Sequence, residues 1–379
     1  MVIEEGGISN LSVAQEIVLS VSVMPSGLLS LFGSSVILYN VVYRKRLVSP
    51  LERILFGLSI SDIFVTLNWM IAAVFTPPVH GRTTVAFGND ATCVALGTIA
   101  QLSVATFFYN GSMSLYFLLS IVYSTRDEFF AKRIEPWLHS FIIIFCVGTA
   151  SVGAAMEFFN PVGIGMGCWV VDVPFNCGDE PWETGEPCIS RYLGYVYGGL
   201  PIGLTFFLVL FCMGRIYFSV RKQLNQSASN SMAPNRQQRR VRQVFARCLS
   251  YIFVFWITSI STVAVRLLET YDYPITEERK LFPLLLLQSI MVPITGFFNM
   301  CIYLTPRYLN WRSDFPERSI AWAFYQALKG DTEQRVSSAH ASGTLTTNPG
   351  SKWSNRRKNS FETPSQSRSM DELFADDES

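Results

Sequence analysis

Side chains able to do chemistry are sparse in this chain, and few are spaced to act together. Its three histidines, His80, His139 and His340, lie far apart, so no histidine-built metal site is expected. No His-Glu-x-x-His pair, Gly-rich phosphate loop or nucleophile elbow occurs, so the sequence carries no enzyme signature. Two sets of residues remain. The first centres on Asp62, a carboxylate well inside an apolar run, where a charge costs on the order of 2.5–3.5 kcal/mol and must find partners. Asn299 falls at similar depth in a later apolar run, and Ser34 and Asn110 can complete a polar cluster. Such a cluster can hold an internal ion or water whose repacking accompanies activation; the same groups can equally form a static network between helices. The second set is the cysteines. Cys146, Cys212, Cys248 and Cys301 sit inside apolar runs and read as buried thiols. Cys93, Cys168, Cys177 and Cys188 fall between runs, all on one side of the membrane if the runs are spans.

The elements that must position these residues follow from composition. Of 379 residues, 49% are hydrophobic and only 16% charged, with mean hydropathy +0.28. A soluble domain carries about 25% charged residues, so this is a membrane protein by composition. The net charge of +1 gives no basis for nucleic-acid binding. Crossing a bilayer takes about 20 apolar residues in a helix. Seven such runs occur, near 17–43, 52–77, 93–124, 138–159, 192–219, 245–268 and 282–305. The expected fold is therefore all-α, a seven-transmembrane helix bundle. Residues 1–16 form an N-terminal tail, 17–305 the bundle, 306–329 a short interfacial helix and 330–379 a disordered tail. Placing the N-terminus outside leaves only Arg82, Arg191, Arg266, Arg279 and Lys280 on the outer side among 30 Lys and Arg residues, which sets N-out, C-in. Pro201 and Pro293 lie inside the fifth and seventh runs and are expected to kink them. Ile320, Phe324 and Leu328 recur every fourth residue and give the interfacial helix its apolar stripe.

That topology puts Cys93, Cys168, Cys177 and Cys188 in an oxidising compartment, where four cysteines suggest two disulfides. Three pairings are open, and each ties the fourth loop to the head of the third helix. The sequon Asn10-Leu11-Ser12 lies in the outer tail and is the expected glycan site. Ser360, Ser367 and Ser369 follow or neighbour Arg356-Arg357-Lys358 in the tail and read as kinase acceptors.

The topology and several local motifs resemble G-protein-coupled receptors. Leu58-Ser59-Ile60-Ser61-Asp62 is similar to the Leu-x-x-x-Asp motif of the second helix, and Gly33-Ser34-Ser35-Val36 to the Gly-Asn-x-x-Val of the first. Asn299 and Tyr303 match Asn-Pro-x-x-Tyr at the end of the seventh, with Met300 in place of proline. Gly296-Phe297-Phe298-Asn299 and Gly167-Cys168-Trp169 resemble the rhodopsin-like and cyclic-AMP-receptor-like receptors of protists and microalgae. The resemblance implies a Cys93–Cys168 bridge, leaving Cys177–Cys188. Two positions depart from the pattern. Val122 stands where the third helix should carry arginine, and no proline follows Phe255-Trp256 in the sixth.

The resemblance implies a plasma-membrane receptor that binds an unidentified extracellular ligand and signals to a heterotrimeric G protein. The tail would bring kinases and arrestin-like adaptors. Tyr109, Trp256 and Arg266 are the candidate ligand residues; Ser34, Asp62, Asn110, Asn299 and Tyr303 form the expected activation core. No cofactor is expected, because the seventh run contains no lysine to form a retinal Schiff base. Two alternatives stay open: a seven-helix scaffold or partner subunit that has lost coupling, which Val122 favours, and a transporter or channel, which an odd span number disfavours.

Overall fold

The first three helices begin where the sequence supplies a side-chain cap. In the computed structural model, which describes residues 11–43, 49–78, 86–162, 167–170, 192–229, 236–270 and 279–329, α1 runs Val13–Tyr43. Ser12 and Gln15 close its N-terminus: the Gln15 side chain accepts from Ser12 N at 3.0 Å, and Ser12 Oγ accepts from Gln15 N at 3.3 Å. That cap starts the helix four residues ahead of the first apolar run. In α2, Pro50–Phe75, Ser49 caps the Glu52 N–H and Pro50 occupies the first turn, where its missing N–H is harmless. Asn89 and Thr92 form a reciprocal box at the head of α3, Asp90–Val122.

Next, α4 covers Asp127–Ala155, starting well before the expected residue 138. Its first turns are charged and pass through a wider π-turn at Phe130–Ile134, so hydropathy alone misses them. A two-stranded hairpin follows, β1 (Phe159–Pro161) antiparallel to β2 (Cys168–Val170), with Asn160 opposite Trp169. The span α5 covers Tyr195–Lys222 and begins with a second π-turn, Tyr195–Gly199, directly before Pro201. Then α6 covers Arg236–Thr270, α7 Phe282–Met291 and α8 Thr295–Asp314.

The seventh span is the pair α7 and α8, bent by 47° at Val292–Ile294. Pro293 cannot continue the ladder, and the freed groups find side chains on other helices. The Pro293 carbonyl accepts from Thr66 Oγ1 at 3.3 Å, and Gly296 N donates to Ser30 Oγ at 3.0 Å. Thr66 Oγ1 also donates to Ser30 Oγ at 3.0 Å, linking α1, α2 and the break. Close approach makes this possible: a Cβ on Gly33 would sit 2.6 Å from the Gly296 carbonyl oxygen and 2.7 Å from Phe297 Cα.

Around the bundle α1 packs on α2, α2 on α3, α6 on α7 and α7 on α1, while α3 touches α2, α4, α5 and α6 from the middle. Among the described residues six helices are long and apolar enough to cross a membrane, and the bent pair makes seven, so the expected all-α seven-span bundle is the observed architecture.

A second unit begins at Leu304. Against expectation, Pro306 does not end the preceding helix, because α8 continues to Asp314; the short helix α9 is Ile320–Lys329. Within this unit Ala323 and Ala327 bury against Trp311, which stacks on Phe315 and meets Trp322 edge-on. The expected stripe residues Ile320 and Phe324 are exposed, as a lipid-facing surface would be. Asn10, Cys177, Cys188, Ser360, Ser367 and Ser369 lie outside the described residues.

Candidate functional site

The candidate groups gather in three clusters around α3. In the first, α2 presents Asp62 and α8 presents Asn299, both about 1% exposed. Asn299 Nδ2 donates to Asp62 Oδ2 at 2.8 Å. This single bond leaves the other oxygen of each group, Asp62 Oδ1 and Asn299 Oδ1, buried with no partner among the described residues. Ser34 Oγ and Thr106 Oγ1 are in the same condition. Ser34 faces Gly296, one turn before Asn299, and Thr106 approaches Asp62 from α3. Unsatisfied buried oxygens are costly, and this donor set suits a water or a small hard cation held by oxygen ligands. No cluster of three His, Cys, Asp or Glu side chains able to hold a metal occurs among the described residues.

Two of the expected core residues lie beside this pair rather than in it. Asn110 gives its amide to the Thr106 carbonyl of its own helix at 2.8 Å. Its side chain lines a crevice between α3 and α6 with Met113, Phe117, Tyr251 and Phe255, too narrow to hold a water. Tyr303 is buried one turn beyond Asn299.

Tyr109 turns away from the centre of the bundle, toward α2 and α4. Its ring fills the space over Gly57, where a Cβ would overlap it, and its hydroxyl lies 3.1 Å from His139 Nδ1. The reason is helix rotation: residue type marked Tyr109 as a pocket aromatic, but its position on α3 turns it toward α2 and α4. His139 Nε2 lies 3.5 Å from Glu135 Oε1, and Glu135 forms a two-point pair with Arg53, Nη2 to Oε2 being 2.7 Å. A forked arginine–carboxylate contact fixes geometry as well as charge. Arg53, Glu135, His139 and Tyr109 thus tie α2, α4 and α3 together. Tyr116 adds a bond from α3 to Asp127 at the head of α4, 3.1 Å. None of Arg53, Glu135 or Asp127 is distinguishable by type from the loop charges around it, so sequence reasoning passed over them.

The second cluster is aromatic and starts at Phe107, the neighbour of Thr106 on α3. Phe107 of α3, Phe206 of α5 and Phe255 and Trp256 of α6 pack with ring centroids between 4.8 and 6.5 Å apart. Trp256 is half-buried there.

The outer level is built on Gln101, fully buried on α3. Its Oε1 accepts from Trp169 Nε1 at 2.8 Å, and its Nε2 donates to Thr149 Oγ1 at 2.9 Å and to the Tyr197 carbonyl at 3.0 Å. Pro201 explains the last bond, since it lacks the N–H that would otherwise close on Tyr197. Gln101 therefore joins α3, α4, the π-turn of α5 and the hairpin. A Cys93–Cys168 disulfide pins the same hairpin to the head of α3, with Cα atoms 5.4 Å apart. Arg266 of α6 lies over the Trp169 ring, its Cζ 5.3 Å from the centroid. Arg266 and Trp256 are ten residues apart on α6, about 15 Å, so they belong to different levels. Gln101 was legible only as a polar residue inside an apolar run. Cys146, Cys212 and Cys248 are buried free thiols.

No family model and no curated protein matches this chain. Among solved structures it is similar to squid rhodopsin, with a TM-score of 0.59 at 13% sequence identity, over 93% of this chain and 98% of that one. At that identity the likeness shows the fold alone, a rhodopsin-like helix bundle.

Proposed function

We propose that this chain is a plasma-membrane receptor, N-terminus outside, that passes an extracellular ligand signal to a heterotrimeric G protein. The observation that carries the reading is the Asp62–Asn299 bond beside the Pro293 break. It joins α2 to the lower half of a span whose ladder is already interrupted. The groups freed there are held by Ser30 and Thr66 hydroxyls, which can exchange partners at little cost. Unpartnered oxygens next to the pair give it a second arrangement to adopt. Ligand binding falls at the outer level, around Trp169 and Arg266, and the aromatic layer with Trp256 connects that level to the core. Kinases and arrestin-like adaptors act on the tail, where Ser360, Ser367 and Ser369 are the acceptors, and Asn10 carries a glycan. The one lysine of the seventh span, Lys280, stands at its outer end and none lies deeper, so the ligand is not held as a retinal Schiff base.

Val122 favours a second reading, a seven-helix partner subunit without coupling, because α3 ends on valine where the family pattern has arginine. Co-expression with a panel of Gα subunits separates the two. Nucleotide exchange stimulated by the wild-type chain supports the receptor; exchange seen only with Val122→Arg supports lost coupling.

A further inference from the structure

Trp169 is held as a receptor holds a ligand. Its indole N–H donates to a fully buried glutamine, Gln101, at 2.8 Å. One ring face carries the guanidinium of Arg266 at 5.3 Å. Its far edge lies against Gly198 of the α5 π-turn, where any Cβ would run into Cζ2 and Cη2. Three helices thus each contribute one element of recognition: an acceptor, a cation and a gap. The ring itself is delivered from outside the bundle by the hairpin, next to the disulfide that fixes Cys168 to α3. Trp169 also packs against the apolar cluster of Phe159, Val170 and Tyr197, and a buried indole N–H usually finds a partner. Here the acceptor is an amide that also bonds α4 and α5, so occupancy of the indole site is linked to the shape of α5 at Pro201.

We propose that Trp169 is a tethered occupant of an aromatic-ligand site, and that Gln101, Arg266 and Gly198 form a recognition set for a flat heteroaromatic ring bearing an N–H donor. The external ligand class is therefore an indole-like or similar N–H heteroaromatic, which binds by displacing Trp169. This deepens the receptor reading by naming the ligand chemistry of its outer level, but the test needs no G protein, so failure of coupling and failure of this proposal are separately visible.

The experiment uses the full chain, purified in detergent or nanodiscs, with indole as the probe. Trp169→Ala removes the ring and leaves its recognition set in place. Equilibrium binding of labelled indole is compared with the wild type, whose uptake supplies the partition baseline. Saturable binding at about 1 mM or tighter is expected in Trp169→Ala, and measurably weaker binding in the wild type, where the ligand competes with the tethered ring. Adding Gln101→Leu to Trp169→Ala should weaken binding roughly ten-fold, the equivalent of one hydrogen bond. Equal uptake by wild type and Trp169→Ala, or an unchanged affinity in the double variant, overturns the proposal. If Trp169→Ala does not accumulate as folded protein, it is expressed with indole in the medium. Recovery of monodisperse protein then supports the proposal, and no recovery counts against it.

Discussion

Replacing Gln101 by leucine should destabilise the bundle more than the count of its hydrogen bonds suggests. Interhelical hydrogen bonds in membranes average about 0.6 kcal/mol, so three such bonds would predict a loss of about 2 kcal/mol. The groups left behind are not equivalent. Thr149 keeps a partner, because its Oγ1 already donates to the Phe145 carbonyl at 2.7 Å. Trp169 loses its acceptor while half-buried, worth about 1 kcal/mol. Tyr197 loses a donor that Pro201 cannot replace, and a buried unsatisfied carbonyl costs about 1–3 kcal/mol. The sum is about 2–4 kcal/mol, which at a few degrees per kcal/mol lowers the Tm by roughly 5–10 °C. The assay is thermal unfolding of the full chain in one fixed detergent. A companion variant identifies the source. Pro201→Ala restores an N–H in reach of the Tyr197 carbonyl, so Gln101→Leu should cost about 1–2 kcal/mol less in that background. A Tm within about 1 °C of wild type, or an equal loss in both backgrounds, refutes the reasoning.

Further expectations follow from the same geometry. Gly33→Ala drives a Cβ into the backbone of Gly296 and Phe297, which cannot rotate away, so it should cost several kcal/mol and be read as loss of folded protein at gel filtration. Glu135→Ala leaves Arg53 without its two-point partner at a site where the carboxylate side chain is only 6% exposed; a loss of about 1–3 kcal/mol is expected, and an Arg53→Ala/Glu135→Ala cycle should show strong coupling. Gly57→Ala displaces the Tyr109 ring and breaks its bond to His139, costing about 1–3 kcal/mol in the same unfolding assay.

Composition and hydropathy carried the fold, because apolar runs of span length have one way to satisfy their backbone in a bilayer. Asp62 and Asn299 were legible for a related reason: a polar group deep in a run is conspicuous, and rise per residue places two such groups at one depth. What remained hidden depends on rotation and long-range contact. Tyr109 has the composition of a pocket residue, yet its face on α3 points it at Gly57 and His139. Glu135 falls ahead of the fourth apolar run because the charged start of α4 lowers the local hydropathy, and the π-turn there has no sequence signal. Pro306 reads as a helix boundary, but α8 carries on to Asp314. The bond from Gln101 to Trp169 joins residues 68 apart and depends on the hairpin that the disulfide fixes.

The central claim is that the Asp62–Asn299 pair controls a signal to a G protein, and exchanging the two side chains tests it most directly. Nucleotide exchange on the responding Gα is measured for wild type, Asp62→Asn, Asn299→Asp and the double exchange, at matched surface expression. Asn299→Asp sets two carboxylates together, Asp62→Asn removes the charge, and the double exchange restores one amide and one carboxylate in reversed places. Both single variants should shift basal or extract-stimulated exchange, and the double variant should return toward wild type. Exchange identical in all four, or none with any Gα, contradicts the claim.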